Sequence, residues 1–141
     1  MIKILVAEDE PVARDFLDYI LQQEGYTPFL AADGDMAMIL ARDEQPDLIL
    51  LDVMMPYVDG FEVLRRLKEA PDLKHIPVIM LTARTSDADV SVGFDIGAAD
   101  YVEKPFSIAK LLARVRRVLR ETGAIKDPNA PPAGEDEPPG S

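Results

Sequence analysis

Five short apolar runs alternate with segments of helical periodicity, and this order limits the folds open to the chain more than any other feature. The runs lie at residues 2–7, 26–31, 48–51, 76–81 and 101–102, and each precedes apolar residues at a helical spacing. Strands that alternate with helices build a parallel sheet, because a parallel connection needs a crossover helix. The sequence therefore predicts one α/β domain made of five strand-helix units.

The composition of the runs predicts where some of the strands lie. Residues 48–51 are apolar throughout, as expected of a central strand that is covered on both faces. Pro28 interrupts the second run, and because proline cannot donate to a strand ladder we expect this strand at an edge. In the first two helices we expect the larger apolar side chains to face the sheet: Val12, Phe16, Leu17, Ile20, Leu21, Met36, Ile39 and Leu40.

Polar residues stand where four of the five runs end. Glu8 and Asp9 follow the first run, and Asp52 follows the third. Thr82 and Lys104 follow the fourth and fifth runs. Because ligands of open parallel sheets bind outside the carboxyl ends of the strands, we expect these side chains to meet in one crevice.

This set of side chains matches the needs of phosphoryl transfer. A carboxylate such as Asp52 can attack a phosphoryl group if the repulsion between the two anions is offset by cations. Mg²⁺, or Mn²⁺ in its place, prefers oxygen ligands with several waters retained, and Asp9 and Asp52, with Glu8 acting through water, fit that demand. Lys104 would supply a point charge to one phosphoryl oxygen, and the Thr82 hydroxyl would donate to another.

Composition excludes several other classes of protein. The formal charge of −11 opposes binding to nucleic acid, whose phosphates recruit surplus lysine and arginine. The chain has no cysteine for disulfides or thiolate metal sites, and no glycine-rich phosphate loop. No apolar stretch approaches the roughly 18 residues of a membrane span. We therefore expect a cytoplasmic protein without a membrane segment or direct contact with nucleic acid.

The last 21 residues differ from the rest of the chain. Residues 121–141 carry a net charge of −4 and five of the twelve prolines, with no apolar periodicity. Such a composition cannot bury enough apolar surface to fold. We expect a domain over residues 1–121 and a disordered or extended linker over residues 122–141.

The motifs at the strand ends resemble those of bacterial response-regulator receiver domains over residues 1–121. The resemblance is carried by four segments: Glu8-Asp9, Asp52-Val53-Met54-Met55-Pro56 with Asp59-Gly60, Leu81-Thr82-Ala83, and Asp100-Tyr101-Val102-Glu103-Lys104-Pro105-Phe106. It implies a flavodoxin-like, three-layer, doubly wound (βα)5 fold with the parallel sheet order 2-1-3-4-5, an order for which receivers are a known example.

The resemblance also implies a role for each site residue. It makes Asp52 the phosphoacceptor, with Lys104 bound to the phosphoryl group and Thr82 and Tyr101 as switch residues. Glu8, Asp9, Asp52 and the backbone carbonyl of Met54 would hold Mg²⁺, and the bond between Lys104 and Pro105 would be cis. The phosphoryl donor would be a sensor histidine kinase or a histidine phosphotransfer protein, and the chain would be a switch with weak autophosphotransfer and autodephosphorylation rather than a dedicated enzyme.

The last helix resembles that of receivers of winged-helix DNA-binding regulators, which dimerise through the face made by helix 4, strand 5 and helix 5. Asp100 and Arg114 occupy positions that pair between subunits there, whereas Lys110 and Glu121 are charge-reversed relative to that pattern. A phosphorylation-dependent homodimer is therefore one expectation. The chain departs from the family at Tyr57, where a small residue is common, and an aromatic there could shield the site or contact a partner.

Three other readings remain open at this level. A longer DNA-binding regulator would carry this chain as its receiver portion. A small aspartate-nucleophile phosphatase is the rival enzyme, but such enzymes typically place a second aspartate two residues after the nucleophile, where this chain has Met54. An interaction module that is never phosphorylated would not need the complete set of acids. His75 precedes the fourth strand in a loop, outside any helical phosphotransfer context.

Overall fold

The computed structural model of the 141-residue chain describes residues 1–83 and 87–126, with the side chains of 87 and 88 excepted. The strands are β1 (Lys3–Ala7), β2 (Thr27–Ala31), β3 (Leu48–Asp52), β4 (Val78–Thr82) and β5 (Asp100–Glu103). The helices are α1 (Pro11–Gln23), α2 (Gly34–Glu44), α3 (Gly60–Glu69), α4 (Asp87–Ile96) and α5 (Ile108–Glu121). The described residues therefore confirm five strand-helix units.

All neighbouring strands pair in parallel, and the sheet order is β2-β1-β3-β4-β5. This is the order 2-1-3-4-5 of a flavodoxin-like fold, as expected. Strand β2 lies at the edge of the sheet, as expected. The backbone N–H that Pro28 lacks is therefore not missing from a strand in the interior of the sheet. The chain order reverses between β1 and β3, which places a crevice at the carboxyl ends of these two strands.

Strand β3 lies at the centre and separates two hydrophobic cores. All five of its residues are buried. Ile49 and Leu51 pack in the core under α2 and α3, whereas Leu48 and Leu50 pack in the core under α1 and α5. Alternate side chains point to opposite faces of a strand, so a run of apolar residues is required when both faces are covered.

The faces of α1 and α2 differ from the prediction. Leu17, Ile20 and Leu21 are buried, but Val12 is 75% exposed and Phe16 is 44% exposed. On α2, Met36 and Ile39 also lie outward, because the seam against the sheet is made by the smaller residues at 34, 37 and 41 together with Met38. Small side chains let the helix approach the sheet closely, and they therefore displaced the larger ones from the predicted face.

Side-chain caps fix where several helices begin. Asp33 accepts a hydrogen bond from the Met36 N–H at 2.8 Å, and Asp59 accepts one from the Glu62 N–H at 3.0 Å. Ser107 does the same for the Lys110 N–H at 3.0 Å. Each cap satisfies one of the amide groups that a helix start leaves unpaired. Because α2, α3 and α5 each follow the end of a strand, they start at the crevice edge of the sheet.

Gly60 allows α3 to start directly against the end of β3. Its N–H donates to the Val53 carbonyl at 2.8 Å. A Cβ at this position would overlap the carbonyl oxygen of Asp52 and would lie 2.7 Å from the Val53 Cα. Both neighbours are backbone atoms that cannot move aside cheaply, so only glycine permits this approach. The loop of residues 53–59 consequently leaves and rejoins the sheet at Asp52.

The ordered packing continues slightly beyond α5. Ala124 and Ile125 pack against the core under α1 and α5, and the Ile125 N–H donates to the Leu119 carbonyl at 3.2 Å. The linker was expected over residues 122–141, so its first residues belong to this packed part. Residues 127–141 lie outside the described residues, and for them the linker stays a prediction. Among the described helices, none combines the length and the apolar character that crossing a membrane requires.

Candidate functional site

The carboxyl ends of β1, β3, β4 and β5 bring the predicted residues to one edge of the sheet. Glu8 follows β1, Asp52 ends β3 and Thr82 ends β4. Lys104 follows β5, and its N–H donates to the Thr82 carbonyl at 2.8 Å. Glu8, Asp52 and Thr82 are buried, at 0%, 4% and 0% exposure. The expected convergence of the strand ends is thus realised in the fold.

One lysine joins two of the acids. The Lys104 ammonium lies 2.6 Å from Glu8 Oε1 and 3.0 Å from Asp52 Oδ2. These contacts link residues that are 96 and 52 positions apart in the chain. The other Asp52 oxygen, Oδ1, accepts a hydrogen bond from the Met54 N–H at 3.0 Å. The Asp52 carboxylate is therefore held from both sides, and the peptide bond from Lys104 to Pro105 is cis, as the resemblance implied.

Glu8 is the member of this cluster whose negative charge is least well stabilised. Burial, followed by the proximity of the Asp52 carboxylate, raises the pKa of Glu8 to about 7 in spite of Lys104. Its second oxygen, Oε2, is buried and has no hydrogen-bond partner among the described residues. Burial opposes the charge of Lys104 as well, but the hydrogen bonds to Glu8 and Asp52 outweigh it and raise the pKa of the lysine. The site therefore holds a surplus of negative charge.

That surplus fits a hard divalent cation. Carboxylate oxygens of Glu8, Asp9 and Asp52 lie within 4.8 Å of one another. Lys104 is the cation placed against this group, and it contacts only two of the three carboxylates. Oxygen ligands of this kind, together with an orphaned buried oxygen at Glu8, suit Mg²⁺. The carbonyl of Met54 as a further ligand stays a prediction.

Arg14, which no sequence pattern identified, supports the acidic loop. Its Nη1 donates to the carbonyl oxygens of Glu8 at 3.0 Å and of Asp9 at 3.3 Å. A cation that binds the backbone leaves the carboxylates free while it offsets part of their repulsion. Its position in the first helix gave no signal in the sequence, because only the rotation of α1 brings the guanidinium to that loop.

Tyr101 packs against α4 rather than into the site. Its hydroxyl donates to the Asp89 carbonyl at 3.2 Å, and its ring meets the Phe94 ring edge-on at a centroid distance of 5.2 Å. A Cβ on Gly93 would overlap the Tyr101 hydroxyl. The glycine therefore makes room for this placement of the ring, and an isolated glycine inside a helix was the signal that could have identified it.

Asp100 and Arg114, predicted for a dimer face, meet within the chain. Arg114 Nη1 lies 2.9 Å from Asp100 Oδ1, and Arg117 Nη2 lies 2.5 Å from Asp100 Oδ2. Asp100 is 5% exposed and begins β5, at the end of the strand opposite to the acidic site. Both arginines project from α5, so these ion pairs tie that helix to the strand beneath it.

An apolar cavity of about 420 Å³ opens beside the acids, between α1 and the loop after β5. Phe16, Pro105 and Phe106 contribute its apolar wall, and Glu8 and Lys104 reach it from the site. His75 instead lines a separate cavity of about 430 Å³ with Pro77, next to the start of β4. The sole histidine of the chain is therefore outside the acidic site.

The raised pKa of Glu8 predicts how stability depends on pH in the metal-free protein. The folded pKa of about 7 exceeds the ordinary value of 4.5, so the protonated carboxyl stabilises the fold below about pH 4.5. This contribution, about 3 kcal/mol at most, is lost as the pH rises through 7. Urea unfolding in EDTA at pH 5 and pH 8 should show this loss in the wild type and not in Glu8→Gln. The exposed variant Glu69→Gln should behave as the wild type, and equal pH profiles for all three proteins would contradict the assignment.

Comparison with known proteins agrees with this geometry. A family model described as the response regulator receiver domain matches residues 4–116. The chemotaxis protein CheY4 of Vibrio cholerae is 35% identical, with a TM-score of 0.81 over 84% of this chain and 99% of that one. The signal receiver domain of a signal transduction histidine kinase from Syntrophus aciditrophicus is 35% identical, with a TM-score of 0.80 over 94% and 99%.

A further solved structure concerns the metal. The receiver domain of the sensor histidine kinase PA1611 from Pseudomonas aeruginosa is 33% identical, with a TM-score of 0.75 over 86% of this chain and 97% of that one. That protein has a magnesium ion coordinated in its active site cleft. The family match covers most of the chain, and the parallel fold and acidic crevice agree with it. The chain therefore belongs to the response-regulator receiver domains of two-component signalling.

Proposed function

We propose that this receiver accepts a phosphoryl group on Asp52 in a reaction that depends on Mg²⁺ or Mn²⁺. The observation that carries the proposal is the bridge from the Lys104 ammonium to Asp52 and Glu8, at 3.0 and 2.6 Å. It places a nucleophilic carboxylate beside a fixed positive charge, which is what transfer between two anions requires. The donor is the phosphohistidine of a sensor histidine kinase or of a histidine phosphotransfer protein.

In the transfer step an Asp52 oxygen attacks the phosphorus, and the bond between phosphorus and the donor's imidazole nitrogen breaks. The electron pair of that bond stays with the imidazole, and the phosphoryl group becomes an acyl phosphate on Asp52. Lys104 keeps its charge next to the phosphoryl oxygens, and the Met54 N–H holds the carboxylate in one orientation. Glu8, Asp9, Asp52 and the Met54 carbonyl would hold Mg²⁺, which neutralises charge on the phosphoryl oxygens when bound.

The surface beside the site supports a protein donor. Val12, Phe16 and Tyr19 form an exposed apolar stripe on α1, at 75%, 44% and 62% exposure. The stripe borders the apolar cavity at Phe16 and Phe106. A small phosphodonor would not contact such a surface, whereas a helix of a partner protein could cover it. Because histidine kinases use ATP, we place the reaction in the cytoplasm.

Hydrolysis of the acyl phosphate should be slow. Glu8 is tied to Lys104, Asp9 would be a ligand of the proposed metal ion, and the only histidine lies outside the site. None of these groups is therefore dedicated to activating water beside Asp52. Phosphatases of the aspartate class have a second aspartate where this chain has Met54, whose side chain is 57% exposed. These features favour a signalling switch with weak autophosphotransfer and autodephosphorylation over the phosphatase.

Thr82 and Tyr101 are proposed to transmit phosphorylation to the surface formed by α4, β5 and α5, the α4-β5-α5 face. Reversal of a 1:99 population needs about 5.5 kcal/mol of differential binding. A hydrogen bond to a charged group contributes about 1.5–3 kcal/mol, so bonds from Thr82 and Lys104 to the phosphoryl group would be needed together. Movement of Thr82 toward the phosphate would let the Tyr101 ring leave Gly93 and turn inward.

A phosphorylation-dependent homodimer through the α4-β5-α5 face is part of this proposal. Asp100 is already bound by Arg114 and Arg117 of its own chain, so pairing between subunits would exchange or share these contacts. Sedimentation velocity before and after phosphorylation measures this directly. We take residues 1–121 as the receiver and 122–141 as a linker, and a DNA-binding domain elsewhere in a longer protein is compatible with this role.

Replacement of Asp52 tests the phosphoacceptor. Incubation with acetyl phosphate and Mg²⁺ should add the mass of one phosphoryl group to the wild type and to the exposed control Asp43→Asn. Asp52→Asn should gain no mass, because the amide cannot form the acyl phosphate. A phosphoryl group that persists in Asp52→Asn would refute the assignment, and no gain in the wild type would favour an interaction module.

Replacement of Thr82 tests the switch. Thr82→Ala should still be phosphorylated, but phosphorylation should no longer change amide hydrogen exchange in α4 and β5, because the hydroxyl that binds the phosphoryl group is missing. Thr82→Ser keeps the hydroxyl and should retain at least half of the wild-type change. Equal exchange responses in Thr82→Ala and the wild type would show that the coupling does not pass through this residue.

A further inference from the structure

Tyr57 has a backbone conformation that its side chain disfavours. Its φ is +68°, and the N–H of Val58 donates to the carbonyl of Pro56 at 2.8 Å. A hydrogen bond that spans three residues around a positive φ defines the rarer, strained form of the γ-turn. Glycine adopts it easily, whereas a bulky aromatic residue in this region is an outlier. This geometry explains why a small residue is common at the position.

Contacts of the Tyr57 side chain with the described residues do not offset this strain. Tyr57 is 96% exposed. It takes part in no hydrogen bond through its side chain and in no ring contact with the described residues. Strained residues that persist without internal compensation cluster at functional sites, so the compensation is to be sought in a complex.

The loop around Tyr57 is firmly held, so the ring cannot fold down to bury itself. Met55 is 9% exposed and packs in the core under α2 and α3, and Val58 packs against the same core. The Gly60 N–H closes the loop on the Val53 carbonyl at 2.8 Å. The packed residues Met55 and Val58 therefore fix the backbone on either side of Tyr57, and the ring is exposed to solvent. Because that backbone is already ordered, less conformational entropy is lost when a partner binds.

Both ends of this loop meet at the phosphoacceptor. The Met54 N–H binds Asp52 Oδ1 at 3.0 Å, and Gly60 touches the Asp52 backbone where α3 begins. Tyr57 therefore belongs to the loop that borders the acidic opening, and Met54, three residues earlier in the same loop, is also exposed. A neutral aromatic residue offers contact area there without adding to the negative charge of the site.

Resting on the function proposed above, we propose that Tyr57 is a specificity residue that a protein phosphodonor contacts when it delivers its phosphohistidine to Asp52. A donor protein must cover this loop to bring its phosphorus to the carboxylate. Tyrosine is among the residues that contribute most at such interfaces, because it offers a large surface with few rotatable bonds. Acetyl phosphate is too small to depend on a side chain at the outer part of the loop.

The test compares a protein donor with a small one. Purified histidine kinases are autophosphorylated with ATP, and the kinase that transfers fastest to the wild type serves as the protein donor. Acetyl phosphate with Mg²⁺ serves as the small donor, and the lifetime of the acyl phosphate is measured after donor removal. The variants are Tyr57→Gly, which removes the ring, and Tyr57→Phe, which keeps it. Ile39→Ala is the matched control, because it removes a 52% exposed apolar side chain from α2.

For Tyr57→Gly we expect kcat/KM with the kinase to fall roughly tenfold or more, mainly through KM, because a central aromatic contact is lost. Loading by acetyl phosphate and the acyl-phosphate lifetime should stay within twofold of the wild type, on the order of assay scatter. The thermal midpoint should rise by about 2–4 °C as the positive φ is relieved. Tyr57→Phe and Ile39→Ala should transfer within about twofold of the wild type.

Other results overturn the inference in distinguishable ways. Unchanged kinase transfer in Tyr57→Gly removes Tyr57 from donor recognition. A shortened acyl-phosphate lifetime in that variant assigns the ring to shielding of the site instead. Equal losses in Ile39→Ala show a general surface effect. If acetyl phosphate loads Asp52 and no kinase does, the protein donor and this inference fail together, whereas failure of both donors overturns the phosphoacceptor function itself.

Discussion

The contact of one ammonium group with two buried carboxylates is the interaction on which the site depends. Lys104 neutralises part of the charge of Glu8 and Asp52 at 2.6 and 3.0 Å, and without it two buried acids would share a low-dielectric crevice. The neutralisation is incomplete, since Glu8 has a pKa of about 7 and a buried oxygen without a partner. The incompletely neutralised, metal-free site thus fits a hard divalent cation.

The parallel fold brings the residues of this contact together and holds their backbones in place. Parallel strands bring residues from distant parts of the chain to one edge, and β3 can lie at the centre because both of its faces are apolar. Gly60 lets α3 begin against Asp52, and Arg14 holds the carbonyls of Glu8 and Asp9 from the other side. Backbone contacts therefore position the acids, so their side chains remain available for chemistry.

The parallel sheet, its central strand and the meeting of polar residues at one edge could be predicted from the sequence, because polar residues after apolar runs must share an edge in a parallel sheet. The strand order was implied only by the resemblance to receiver domains. The outward positions of Phe16 and Ile39 could not be predicted, because the rotation of a helix depends on its neighbours. On α2, small residues took the seam against the sheet in place of Ile39. Gly93 inside α4 was a signal of close packing, but the sequence did not show that Tyr101 is the residue packed against it. The positive φ of Tyr57 could not be predicted either, because the sequence showed only a tyrosine at a position where a small residue is common.

The central claim is that the acids at the strand ends form an incompletely neutralised cation site, and a calorimetric Mg²⁺ titration near pH 7 tests it most directly. We predict one binding site in the wild type and in the exposed variant Asp43→Asn. Asp9→Asn and Glu8→Gln should each weaken binding by roughly tenfold or more, because each removes a carboxylate from the group. Equal affinities in all four proteins, or no saturable binding in the wild type, would contradict the account.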